Sequence, residues 1–222
     1  MKETTILVDN QKYQRLHIKT HVVMKDDDIN DLVEKYASEH LKGADWLFIS
    51  ERVVAITQGR AYKISDIKVG GLARFLVKFV YKSPYGIGLA KPETMQLAID
   101  EAGGVRIVLA AVIGGVFKIF GKRGVFYKIA GHNVNGIDGP CDYTLPPYNN
   151  YAVLAPSDPN KVAQRLSDKF KVKVVIIDAN DLGVDVLGVS DGVDNKLAIK
   201  IFADNPLGQS DEQTPMAVVI EK

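Results

Sequence analysis

The segment IIDANDLGVDVLGVSDGVD, Ile176 to Asp194, sets Asp178, Asp181, Asp185, Asp191 and Asp194 within a few residues of a strand end. Carboxylates this close repel one another unless water, a donor or a cation lies between them. The segment reads either as a solvated acidic loop or as a site for a hard cation. Two further polar loops share its character: NGIDGPCD carries Asp138, and LGQSDEQTP carries Gln209 and Asp211. All three adjoin strand-like runs, and loops from distant parts of a chain can converge at strand ends. Mg²⁺ and Mn²⁺ take oxygen ligands, usually one or two carboxylates with water and substrate phosphates. Asp138, Asp181 and the amide oxygens of Asn180 and Gln209 have that chemistry. The NG and DG pairs are equally what tight turns require, so residue types alone leave both readings open.

Bulk properties narrow the field. The chain has 222 residues and a net charge of +1, which gives no overall field for attracting nucleic acid or an anionic membrane. Cys141 is the single cysteine, which excludes an internal disulfide and a cysteine zinc cluster. The four histidines form no HExxH, and neither GxGxxG nor GxxxxGK[ST] occurs. The start, MKETTILVDNQKYQ, is polar and lacks a signal-peptide pattern, so the cytoplasm is the expected location. IVLAAVIGGVF, residues 107 to 117, is uncharged but about half the ~20 residues a membrane span needs. A buried helix is expected there and no span, with shallow membrane contact beside Lys122 and Arg123 as the lesser alternative.

The elements that must position the polar loops follow from pattern. TTILVDNQKYQRLHIKTHVV reads as paired strands. MKDDDINDLVEKYASEHL reads as a helix capped within Asp26–Asp28, with Ile29, Leu32, Val33 and Tyr36 on one face. ADWLFISERVVAITQGRAYKIS has strand composition, punctuated by Gly59. Helices are expected at GLARFLVKFVY, KPETMQLAIDEAG and DPNKVAQRLSDKF, the last two with proline in the first turn. FYKIA, YAVLAP, KVKVVII and the C-terminal MAVVIEK read as strands. Strict strand–helix alternation is absent, so the expected class is α+β (mixed α/β) with mixed or antiparallel sheets and flanking helices. One domain over residues 1–222 is expected, with a two-lobed arrangement left open.

In their order, KDDDINDLVEKY, ISERVVAITQGR, PETMQLAIDEAG, NGIDGP, LAPSDPNKVAQRL, VVIIDANDLG and GQSDEQTP resemble the γ-glutamyl ligases that act on the deazaflavin precursor F420-0. The resemblance implies that fold and an amide-bond-forming activity. GTP, or ATP in its place, would phosphorylate an acceptor carboxylate. L-glutamate would then displace the phosphate, with Mg²⁺ or Mn²⁺ supporting the phosphates. It implies Asp138, Asn180, Asp181 and Gln209 as metal ligands. It also implies His21, Arg52, Cys141, Gly208, Ser210 and Asp211 as nucleotide contacts, a deazaflavin- or pterin-like acceptor, and a homodimer. No catalytic residue is assigned, and His132 is given no role. The chain departs from the family in three places. Ile56 stands where the family has a phosphate-contacting lysine, Cys141 where it has an asparagine, and the chain is shorter between Gly188 and Leu207. Arg52 and Arg60 are the candidate replacements for the lysine charge; on a strand, Arg52 would share the face of Ile56. The alternatives are an inactive nucleotide- or cofactor-binding protein derived from the ligase, or a ligase for a pterin or folate acceptor.

Overall fold

A computed structural model describes residues 4–80, 88–122, 124–142, 144–180, 183–208 and 212–222. In chain order the elements are β1 (Thr5–Val8), β2 (Gln11–Ile18), α1 (Ile29–Ala37), β3 (Trp46–Ser50), α2 (Glu51–Thr57) and β4 (Ala61–Lys63). Then come α3 (Gly71–Leu76), α4 (Pro92–Ala102), α5 (Gly104–Ile119), α6 (Val125–Ala130), α7 (His132–Asn135) and β5 (Tyr151–Val153). The chain closes with α8 (Pro159–Phe170), β6 (Lys173–Asn180), β7 (Gly183–Val189), α9 (Asn195–Ile201) and β8 (Met216–Glu221). The class is α+β, as the sequence predicts. The chain divides into two compact units, residues 1–59 with 156–222, and residues 60–155.

The first unit is built on a six-stranded mixed sheet ordered β1-β2-β8-β3-β6-β7. β3 runs parallel to β6, and the other neighbours are antiparallel. Asp9 and Asn10 turn the first hairpin at φ 49° and 67°, the left-handed pair that a two-residue turn requires. β3 is buried along its whole length. Trp46, Phe48, Val175, Ile177, Ala217 and Val219 face Ala198 and Ile201 of α9 and Phe202 just after it, and Phe48 stacks on Phe202 at 3.9 Å between centroids. Leu47, Ile49, Val174, Ile176, Met216 and Val218, of the opposite parity, are also fully buried. A sheet covered on both faces explains why these strands read as continuous apolar runs.

α8 lies against β6 and β7, and Gly188 makes this approach possible. A Cβ there would stand 2.4 Å from the Pro159 carbonyl carbon. Gly188→Ala is expected to lower stability by about 1–3 kcal/mol, read as a shifted denaturant midpoint with an unchanged slope.

The second unit packs α3, α4, α5, α6 and α7 around Leu76, Met95, Ala98, Ile107, Ala110 and Val134, with the β4–β5 ribbon at Ala152. α5 and α6 pack closely because Gly114 has no side chain. A Cβ at Gly114 would lie 3.0 Å from the Cβ of Phe126. Arg106 Nε donates to the Ile129 carbonyl at 2.7 Å, satisfying an acceptor in the last turn of α6.

Three expectations are corrected. Glu51–Thr57 is helical, not extended: Ser50 in β conformation begins the turn, and four consecutive side chains, Val53 to Ile56, are buried. Burial on all sides outweighs the β-branched preference for a strand. FYKIA is the helix α6, bounded by Gly124 and Gly131 at positive φ. The apolar run of residues 107–117 is helical but not a buried helix: only Ile107 and Ala110 of α5 are buried.

Candidate functional site

Strand pairing gathers several of the candidate residues at one end of the first unit's sheet. Ile18 of β2 pairs with Met216 at the start of β8. Ser50, the last residue of β3, pairs with Ile177 near the end of β6. The Ser50 amide donates to the Pro215 carbonyl at 2.8 Å, and the Thr20 amide to the Gln213 carbonyl at 2.9 Å. His21, Arg52, Asn180 and Gly208 therefore leave neighbouring strands at the same end. Asp181, Gln209, Ser210 and Asp211 lie outside the described residues, as does the side chain of Asn180.

His21 is held from both sides. Its Nε2 lies 2.9 Å from Asp27 Oδ2, and its Nδ1 lies 2.7 Å from the Tyr36 hydroxyl. Within the aspartate triplet the labour is divided. Asp28 caps α1 through the Asn30 amide, which leaves Asp27 for the ring. Sequence reasoning missed this division; its signal is that one N-cap position takes one carboxylate. Burial pushes the Asp27 carboxyl up, but the Met24 amide and the His21 ring outweigh it, and the net direction is down. A depressed carboxyl stabilises the fold above its ordinary value of 3.8, and that contribution is lost as pH falls through the lower native value. His21→Ala is expected to move the Asp27 titration upward in a carboxyl-resolved NMR experiment. An unmoved titration would mean that His21 does not hold the carboxylate.

Gly208 closes the neck of the C-terminal loop. Its amide donates to the Thr214 carbonyl at 3.2 Å, and the Thr214 amide donates back to Gly208 at 2.9 Å. A Cβ at Gly208 would meet the Glu212 Cβ at 2.6 Å, so only glycine fits. Arg52 sits half-buried in the first turn of α2. On this helix Arg52 and Ile56 are four residues apart and share a side, so their common face survives with a different cause. Ile56 is 3% exposed and part of the core.

The aspartates of the 176–194 segment take separate roles. Asp194 caps α9, accepting from the Lys196 and Leu197 amides, and Asp191 is an exposed turn residue. Asp178 and Asp185 stand directly opposite each other on β6 and β7. Like charges in that register destabilise a ladder unless something offsets them.

The second unit holds the other candidates. Asp138 exchanges a pair of backbone hydrogen bonds with Val153, both 2.9 Å, which fixes it along β5; it is exposed, and Cys141 is half-buried. Arg60 is engaged within this unit, donating to the Ala155 carbonyl at 2.6 Å and to Glu101 at 2.8 Å. Among the described residues no group of three or more His, Cys, Asp or Glu is placed to hold a metal. The oxygen-only donors among the candidates suit a hard cation by chemistry.

The chain belongs to the family described as F420-0:Gamma-glutamyl ligase, which matches residues 17–200. No curated protein matches the chain significantly.

Proposed function

We propose that the chain is a metal- and nucleotide-dependent ligase that joins L-glutamate to an acceptor carboxylate through an amide bond. Family membership over residues 17–200 carries this reading, and the convergence of His21, Arg52, Asn180 and Gly208 at one sheet end supports it. A carboxylate has no leaving group. Transfer of the γ-phosphoryl group of GTP, or ATP, supplies one. The glutamate amine then attacks the acyl carbon, the C–N bond forms, and phosphate departs. A bound Mg²⁺ or Mn²⁺ offsets the negative charge on the phosphoryl oxygens. Asp138, Asn180, Asp181 and Gln209 would hold it. His21, Arg52, Cys141, Gly208, Ser210 and Asp211 would contact the nucleotide. The acceptor is deazaflavin-like, with a pterin as its rival. The same reading makes the protein a cytoplasmic homodimer.

One observation favours a second reading. Ile56 is core, where related ligases are expected to carry a phosphate-contacting lysine, so a binding protein without turnover is the competing class. The deciding experiment is mass-spectrometric detection of a glutamylated acceptor, alongside calorimetry of GTP and ATP with and without Mn²⁺. Product formation establishes the ligase. Nucleotide binding without product across deazaflavin and pterin acceptors establishes the binding protein.

A further inference from the structure

The helix α5 presents an apolar stripe to solvent. Val105, Leu109, Val112, Val116, Ile119 and Phe120 recur at helical spacing and are between 49% and 83% exposed. The opposite side of the same helix carries Ile107, Ala110 and the Gly114 contact with α6. α3 adjoins the first turn of α5: Leu72 Cδ2 lies 3.5 Å from where a Gly104 Cβ would stand. α3 and the turn after it expose Phe75 and Phe79, which pack edge to face. A contiguous exposed apolar face of this kind marks an interaction site.

Charge selects the partner. Residues 67–92 and 102–137 contain no aspartate or glutamate. Lys78 adjoins Phe79 in sequence, Lys118 lies in the last turn of α5, Lys128 lies in α6, and Lys122 Nζ lies 5.6 Å from the centre of the Phe117 ring. Residues 60–155 hold twelve Lys and Arg against six Asp and Glu, a net +6. The remainder of the chain holds sixteen against twenty-one, a net −5, so the two together return the +1 of the whole. The overall charge conceals a strongly basic unit.

We infer that this face of the second unit docks on an anionic lipid bilayer. Aliphatic and aromatic side chains enter the headgroup boundary, and the lysines remain at the anionic surface. α5 has 16 residues, about 24 Å of helix, against a hydrocarbon core of roughly 30 Å. It suits lying in the interface, and no single described helix is long and apolar enough to cross. A second copy of the chain fits less well. A two-fold interface sets a patch against itself, which would bring basic surface onto basic surface.

The test is flotation of the full chain with phosphatidylcholine vesicles, with and without 30% phosphatidylglycerol. Binding is expected to the anionic vesicles alone and to weaken in high salt. Lys118→Glu with Lys122→Glu should lower the partition coefficient by at least about 25-fold. Leu109→Glu with Val112→Glu should abolish binding while melting with the wild type, because both side chains are already solvated. Absence of flotation overturns the proposal. So does flotation that both variants preserve. A homodimer that Leu109→Glu and Val112→Glu split into monomers, with no vesicle binding, would assign the face to a second copy. Salt-sensitive binding of a nucleic acid with no vesicle binding would assign it to that polymer.

Discussion

Asp138→Asn is expected to abolish metal-supported GTP binding, with a loss of at least about 100-fold in affinity and no detectable product. The substitution isolates charge. The side chain keeps its shape, and the hydrogen bonds that fix residue 138 to Val153 are backbone bonds, which asparagine retains. A melting curve alongside separates loss of binding from loss of the fold. Asp142→Asn, an exposed carboxylate in the same loop, is the control and should leave binding unchanged. Calorimetry with Mn²⁺ gives both numbers. Unaltered GTP affinity in Asp138→Asn would remove residue 138 from the proposed metal site and return its loop to a turn.

The second large effect concerns stability. Asp204→Ala is expected to cost about 2–3 kcal/mol and to lower the melting temperature by roughly 5–10 °C. The side chain of Arg15 is fully buried on β2. Its guanidinium donates to Asp204 Oδ2 at 2.8 Å and to the Ile201 carbonyl at 2.9 Å, in the last turn of α9. Removing the carboxylate leaves the cation buried without the two oxygens that accept from its Nη1 and Nη2. The cost falls below that of a wholly enclosed pair because the Asp204 side chain is 41% exposed. Lys200 and Asp9 form a pair with both side chains more than half exposed, and Lys200→Ala should change stability by less than about 1 kcal/mol. A measured order opposite to this would mean that burial does not decide the strength of these pairs. Arg15→Met combined with Asp204→Ala should recover much of the loss, because a methionine needs no partner.

Elements governed by local rules were legible in the sequence. The paired strands at the start, the capped start of α1 and the proline starts of α4 and α8 fall where pattern and capping chemistry put them. Asp158 takes the N-cap position of α8 but makes no capping bond of its own. Where tertiary burial decides between a short helix and a strand, the sequence was not legible. Val53 to Ile56 read as a strand because buried helix and buried strand have the same apolar composition over so short a run. The exposed stripe of α5 was hidden for a related reason, since an apolar run does not say which of its sides finds a partner. The site was legible as residue types, not as an arrangement. That His21, Arg52, Asn180 and Gly208 leave one sheet end depends on β8, the last strand, entering between β2 and β3. No local pattern encodes that insertion.

The boundary between the two units bears on how the chain folds. Each unit ties its own ends. Gln58 exchanges hydrogen bonds with Ser157, 2.9 Å and 2.7 Å, while the Leu154 amide donates to Arg60 at 3.0 Å and Ala61 pairs with Val153. β3 and β6 are partners in a parallel ladder with all of residues 60–155 between them in sequence. If the inserted segment collapses first, its tied ends shorten the path from β3 to β6 to the α2 and α8 segments alone. The entropy of closing that ladder then falls by about 1 kcal/mol. Early order in the insertion would quicken the sheet, and hydrogen-exchange labelling during refolding should find the amides of Val153 and Leu154, which donate to Asp138 and Arg60, protected before those of β3.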